Sequence, residues 1–333
     1  MTGPGHEEGR AAHVMSATGP VAAHELGRTL VHEHITIGMP GQELDPMRAP
    51  DRREIVAMAT DKLQELRSHG VGALVDPCPV ELGRDPELYA EVSQRSGVRI
   101  IFATGFYYDG GGIPHYWRAR DSEEIADFYL HELEHGAGGT GLRPGVIKAA
   151  TGLDVTPVER TVLAAAAMAQ RHAGCAIITH TEQSRHGDVQ QDIFAQHGAD
   201  LSRVLIGHQD EQPGWEAIRD LALRGTFVGI DRVGYEMLAP DERRADHVAA
   251  LIRAGHLRKL CLSQDCICTV SSPRLPFSAG PGLRISPAEF LGMMRPLSHV
   301  LTTFAGLLRE RGVSDADLDT IFRDNPRRLL TGV

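Results

Sequence analysis

From Gly27 onward the chain alternates short runs of apolar and β-branched residues with longer stretches in which apolar positions recur at helical spacing. Short strands alternating with amphipathic helices are the pattern of repeated βα units feeding a parallel sheet. Eight strands are predicted: Arg28 to His32, Val71 to Asp76, Val98 to Ala103, Gly145 to Ala149, Ala176 to His180, Val204 to His208, Thr226 to Ile230 and Lys259 to Ser263. Each is followed by a loop and a helical pattern, clearest in Val158 to Arg171, which contains ERTVLAAAAMAQR, and in Ala245 to Ala254. Eight units in alternation favour a closed (β/α)₈ TIM barrel over an open doubly wound sheet. Gly105 to Gly112, running on to Trp117, has no slot in this series and is expected to be a long loop over the barrel mouth.

The pattern starts late. Residues 1–23 are rich in Gly, Ala, His and Glu without apolar periodicity and are expected to be a flexible tail. That leaves 24–333 as a single barrel domain, a size such barrels reach as one unit. With 42% hydrophobic residues the chain has ample core to bury, as an ordinary globular protein does. Thirty-four Lys and Arg against 44 Asp and Glu give a net charge of −10, which repels a polyanion and argues against a nucleic-acid partner. No apolar run approaches the roughly 20 residues that span a bilayer, and the N-terminus lacks the basic-then-apolar order of a signal peptide. No membrane partner and a cytoplasmic location are therefore expected. Five cysteines in a chain this long do not make a disulfide framework; Cys266 and Cys268 suggest a metal site only weakly, and buried reduced thiols are the expectation. No G-x-G-x-x-G or Walker pattern follows a strand, so nothing supports nucleotide binding.

In a barrel of this type the functional side chains sit where strands end, because the loops at the C-terminal mouth build the site while the interior is packed. The ionisable residues obey that rule. His32 and His34 close the first strand in VHEHITI, Lys148 ends the fourth in GVIKAA, His180 ends the fifth in AIITH, His208 ends the sixth in VLIGH, and Asp265 follows the eighth in LCLSQD. Residues i and i+2 of a strand share a face, so His32 and His34 can both point inward while Glu33 points outward. A lone histidine is most often a hydrogen-bonded structural residue. Four imidazoles and a carboxylate converging from separate strands are instead a ligand set for zinc, manganese or cobalt.

Lys148 is the odd member, since a protonated ammonium beside divalent cations would be repelled. It is either a lysine of depressed pKa acting as a Schiff-base nucleophile, or a lysine carbamylated by carbon dioxide and so turned into a bridging carboxylate. The surrounding histidines favour the carbamate.

The ordered set resembles the phosphotriesterase family of the amidohydrolase superfamily. The matching signals are HEHITI after GRTLV, Lys148, His180 in ITHTEQ, His208 in IGHQD, Asp265 in LSQD, DNPRRLL at Asp324 to Leu330, and LGRDP at Leu82 to Pro86. The resemblance runs from about Gly27 to the end. It implies a distorted barrel in which one metal is held by His32, His34 and Asp265 and the other by His180 and His208, with carbamylated Lys148 and a hydroxide bridging the pair. Zinc is the first choice, with manganese, cobalt or iron as alternatives. Asp265 would accept the proton of the attacking hydroxide. A homodimer is compatible with the resemblance.

Substrate choice lives in the loops. Tyr107 in ATGFYYDGG and Arg232 in GIDRVGY fall where the lactonase branch of the family carries a tyrosine and an arginine, which makes lactone opening the first expectation, with organophosphate triester hydrolysis as a side activity. The alternatives are a phosphotriesterase proper and, because THTEQ resembles a branch that contains them, an N-acyl amide hydrolase. A non-catalytic binding protein fits poorly, because all six metal-site residues are present. Gln209, Asp210 and Gln264 depart from the family's usual residues, and the eighth loop, CICTVSSPRLPFSAGPG, matches no substrate class. Arg274 in that loop is either an anion-recognising group or, more commonly for such a residue, a solvated arginine.

Overall fold

The computed structural model describes residues 12–47, 50–275 and 285–333. A short antiparallel hairpin opens it, β1 (His13–Ser16) paired with β2 (Gly19–Ala22). The strands that follow are β3 (Arg28–Leu30), β4 (His34–Ile37), β5 (Val71–Asp76), β6 (Arg99–Gly105), β7 (Val146–Thr151), β8 (Ala176–Thr181), β9 (Val204–Ile206), β10 (Phe227–Ile230), β11 (Leu260–Leu262) and β12 (Ile267–Val270). Eight of them form one parallel sheet in the order β11-β10-β9-β8-β7-β6-β5-β3. Helices at 52–68, 86–96, 122–135, 157–173, 187–196, 215–223 and 241–253 pack outside it. This is the (β/α)₈ barrel that the alternating pattern predicts.

The two edges of the sheet meet without direct pairing of β3 and β11. Ser263 Oγ accepts from the backbone N–H groups of Val31 at 2.7 Å and His32 at 3.1 Å. Just above, Asp265 N–H donates to His32 O at 3.0 Å and His34 N–H to Cys266 O at 2.8 Å. From there β4 runs parallel to β12, His34 opposite Ile267. The barrel is thus closed at its mouth by two four-residue strands absent from the predicted eight.

Alternate residues of the strands fall into two separate hydrophobic clusters, as a pleat with both faces covered requires. Ala73, Val75, Ile101, Ala103, Val146, Ala176, Ile178, Leu205, Phe227 and Cys261 form the inner one, together with Val14 and Val21 of the hairpin and Leu329 and Leu330 of the last helix. Leu74, Ile100, Phe102, Ile147, Ala149, Ile177 and Val228 pack outward against the helices. The hairpin corrects the expectation of a flexible tail for residues 13–22: Val14 and Val21 are buried in the inner cluster, and Ala17 N–H donates to Ile100 O at 2.8 Å. Strands of four residues are too short to carry a periodic signal. The remainder of that expectation, residues 1–11, lies outside the described residues.

The segment expected to be a long mouth loop is more ordered than that. It holds a 3-10 turn at Asp109–Gly111 and a short helix at His115–Arg118, and Trp117 stacks on Phe128 with ring centroids 4.6 Å apart. All five cysteines are free thiols, the reduced state expected.

Candidate metal centre

The inner-face alternation of the strands continues straight into chemistry. Val146 is followed two residues later by Lys148, and Ala176 and Ile178 by His180, so the same pleat that fills the barrel with apolar side chains turns these two polar ones into its mouth. His208 needs a different device, because its position continues the outward row of Val204 and Ile206. Its backbone takes the left-handed region at φ 56°, which breaks the alternation and turns the ring to the inside. Asp265 is likewise left-handed at φ 52°. Non-glycine residues held there are uncommon and concentrate where structure over-determines them.

The structure brings the expected residues together. His34 Nε2 lies 3.2 Å and His32 Nε2 3.8 Å from Asp265 Oδ1, and His208 Nε2 lies 3.7 Å from Asp265 Oδ2. Lys148 Nζ is 3.2 Å from His32 Nε2. The rings of His32 and His208 stack with centroids 4.7 Å apart, and His180 stands edge-on to His208 at 4.6 Å. Glu33, expected to point outward, leaves the lumen but stays fully buried; its carboxylate accepts from Gln264 N–H and Cys266 N–H, both at 2.8 Å, and so holds the backbone on either side of Asp265.

Carboxylates occupy the far nitrogens of the imidazoles. Asp231 accepts from His32 Nδ1 and His208 Nδ1, each at 2.9 Å, and from His208 N–H at 2.7 Å. Asp76 sits 3.2 Å from His34 Nδ1, and Glu182 lies 3.1 Å from His180 Nε2. Such partners fix tautomer and ring direction and leave the other nitrogen as a donor. Asp231 and Asp76 were not among the residues expected from sequence. The signal was available, since each stands at the end of an apolar strand, in VGIDR and ALVDP, where the rule for barrels places function.

Burial sets the protonation of this group. It lowers the pKa of His180 to about 4, and it pushes His32 down, with Lys148 adding to the effect, and His208 well down, with Arg232 adding. These imidazoles are therefore neutral. For His34 burial acts downward too, but hydrogen bonds to Asp265 and Asp76 outweigh it and hold the ring well above the ordinary histidine range. Burial alone would raise Asp265, yet His208, His34, His32 and Arg232 keep it a carboxylate far below its usual range. Burial also brings the Lys148 ammonium down to about 8, against the pull of Asp265 and Asp231. Neutral imidazoles and an anionic oxygen are the donors a divalent transition metal takes. The His32, His34 and Asp265 ligand atoms lie within 4.8 Å of one another, so this donor set fits such an ion once His34 gives up the proton that its two carboxylate partners favour.

At the rim, Tyr107 Oη is 3.3 Å from His180 Nδ1, and Arg232 links Asp265 Oδ2, 3.1 Å from its Nε, to Glu211, 3.6 Å from its Nη1. Tyr235 adds a hydroxyl donor to Asp265 O at 2.8 Å. Gln209, Asp210 and Gln264 are buried braces. Gln209 Nε2 donates to Thr181 Oγ1 and Gly207 O, each at 2.9 Å. Asp210 accepts from Arg232 N–H at 3.1 Å and from the fully buried Arg244 at 2.8 Å. Gln264 accepts from Val300 N–H at 2.8 Å and donates to Pro296 O at 2.9 Å. Arg274 is largely exposed and paired with Asp45 at 2.8 Å. Residues 276–282 of the eighth loop lie outside the described residues. Cys266 and Cys268 join no group of candidate ligands among the described residues, whereas Cys78 stands with His34 and Asp76.

A parallel barrel that gathers imidazoles, a carboxylate and a buried lysine at the C-terminal ends of its strands defines a barrel hydrolase with a candidate metal centre. A sequence model of the phosphotriesterase family matches residues 12–330, and the chain belongs to that family. It is 33% identical over 328 residues to a phosphotriesterase homology protein of Mycobacterium tuberculosis, covering 95% of this chain and 96% of that one. An aryldialkylphosphatase of Saccharolobus solfataricus is 28% identical over 316 residues, covering 93% and 97%, and an N-acetyltaurine hydrolase of Rattus norvegicus is 27% identical over 358 residues, covering 96% and 97%. Among solved structures, a mutant PTE-like lactonase of Deinococcus radiodurans superposes with a TM-score of 0.87 at 33% identity, covering 95% of this chain and 99% of that one. Among the described residues no helix is long and apolar enough to cross a membrane.

Proposed function

We propose that the protein is a two-metal hydrolase that opens lactones. One divalent ion, zinc by first choice, would be held by His32, His34 and Asp265 and a second by His180 and His208. Lys148 would join both as a carbamate: its pKa of about 8 leaves a neutral amine available near neutral pH, which adds to carbon dioxide and releases one proton. The ions would polarise the substrate's carbonyl oxygen and acidify a water between them.

The observation that carries the lactone reading is the rim: Tyr107 on His180 and Arg232 on Asp265 set polar donors beside the cluster. Asp265, held anionic, accepts the proton released in attack. Arg232 keeps that carboxylate oriented, and the Tyr107 hydroxyl is a donor for a developing oxyanion or a ring oxygen. The similarity to a PTE-like lactonase supports this choice, and phosphotriester hydrolysis would follow as a side activity because tetrahedral phosphorus resembles the transition state of lactone opening. The N-acetyltaurine hydrolases, similar over nearly the full chain, make amide hydrolysis the second reading. The working state is taken to be a cytoplasmic homodimer acting on a small molecule, which fractionation and sedimentation check.

The test is a panel of γ- and δ-lactones beside paraoxon and N-acyl amino acids, run on metal-reconstituted protein and on Lys148→Ala. Lactone turnover well above the others and lost in the variant is the expected result. Preference for amides or triesters overturns the substrate class, and activity retained in Lys148→Ala overturns the bridging role.

A further inference from the structure

His180 and His208 come from different strands, yet one turn grips both. β8 ends at Thr181, and residues 182–184 form a single 3-10 turn in which Gln183 and Ser184 adopt left-handed φ of 53° and 57°. Residues with a Cβ disfavour that region, so consecutive occurrences mark a backbone over-determined by its contacts. The bend returns the Glu182 carboxylate to His180 Nε2 at 3.1 Å. It also carries Ser184, 4% exposed, across to the loop after β9. There its hydroxyl donates to His208 O and accepts from Glu211 N–H at 3.0 Å, while Ser184 O accepts from Gln212 Nε2 at 2.7 Å. His208 is itself left-handed at φ 56°, and its carbonyl is held by Ser184.

His180 also differs from the other three histidines. In those the Nδ1 nitrogen meets a carboxylate, Asp231 or Asp76, while Nε2 faces Asp265; among the described residues His180 alone of the four has its carboxylate partner, Glu182, on Nε2 and turns Nδ1 to the Tyr107 hydroxyl instead. We propose that the turn at 182–184 is the positioning element of the second metal position: Glu182 holds the His180 proton on Nε2 so that Nδ1 is the donor, and Ser184 locks the backbone that aims His208. Both are positioning residues, and the proposal rests on the two-metal reading given above.

Two measurements separate the failure of one from the failure of the other. In metal-free protein, ¹⁵N NMR of the imidazoles should show His180 protonated on Nε2, and Glu182→Ala should shift it toward the tautomer mixture of a free ring; an Nδ1-protonated ring, or no shift in the variant, overturns the proposal whatever the metals do. Cobalt titration of the wild type then counts ions, and fewer than two per chain overturns the two-metal reading and the metal role of the turn with it. Given two, Glu182→Ala and Ser184→Ala should each weaken one ion by about 10–100-fold and leave the other in place. Glu182→Gln, which keeps an acceptor oxygen, should recover most of the loss. Equal weakening of both ions, or of neither, overturns the proposal; unchanged melting of the metal-free variants shows that the fold is intact.

Discussion

Arg232 donates from Nε to Oδ2 of Asp265 at 3.1 Å, the same oxygen that lies 3.7 Å from His208 Nε2. A guanidinium stays protonated, so it orients this carboxylate and keeps it anionic without relaying a proton. Arg232→Ala is expected to lower kcat/KM for the best lactone by about 10²-fold. It should also destabilise the metal-free protein by about 2 kcal/mol, the scale of a hydrogen bond to a charged group. Arg232→Lys keeps the charge but loses the planar fork and should recover only part of the rate. Steady-state kinetics with urea unfolding check this, and an unchanged kcat/KM in Arg232→Ala removes Arg232 from the site.

Asp231 touches His32 and His208, which belong to different proposed metal positions. Asp231→Asn should therefore weaken both ions, by about 10–100-fold each. Parallel titrations of this variant and of Glu182→Ala should show a two-ion loss against a one-ion loss.

Chelation with a strong zinc ligand should abolish turnover, and reloading should restore it. An ion that binds only the folded chain adds about 2.7 kcal/mol when present at a hundred times its Kd. Melting scans with and without added metal check it; an unchanged melting temperature shows that the donor set takes no ion.

Gly105, at the end of β6, has φ 112°, and a Cβ there would lie 2.0 Å from Lys148 O and 2.9 Å from Lys148 N. Only backbone movement relieves that contact. Gly105→Ala is expected to cost about 3 kcal/mol in urea unfolding and, by displacing Lys148, to lower metal loading as well.

Glu81 gives the pH prediction. Its Oε1 accepts from Tyr107 N–H at 2.8 Å, its Oε2 is buried without a hydrogen-bond partner among the described residues, and burial pushes its pKa from 4.5 to about 7. Between those values the folded chain keeps a proton that the unfolded chain has lost, so this residue's contribution to stability falls as pH rises through the window and is fully lost above it. Glu81→Gln carries no such titration. Its stability relative to the wild type should therefore rise between pH 5 and pH 8, measured by urea unfolding; a constant difference would mean that the carboxyl titrates normally.

Much of this was legible in the sequence because periodicity and strand-end chemistry report the same geometry. Lys148 and His180 continue inward rows that apolar residues begin, and each predicted strand overlaps the observed one to within two residues at either end. His208 and Asp265 were found by position, but their left-handed backbones were invisible, since neither residue type demands that conformation. Asp231 and Asp76 escaped because a single carboxylate after a strand looks like any solvent-facing loop residue until its partners are known. β4 and β12 escaped because four residues carry too little pattern, and their pairing joins His34 to Ile267 across nearly the whole run of barrel strands.

That pairing orders events in time. His32 and His34 leave the ribosome among the first residues of the barrel, and Asp265 follows only after seven more strands. The seam carrying all three can form only once the last barrel strands have been made, and it joins segments far apart in sequence, a slow kind of contact to form. A fragment ending with β11 can stack most of its βα units and still lack the Asp265 side of the donor set. Metal uptake at this position would therefore report closure of the ring, as folding intermediates with an open barrel would not.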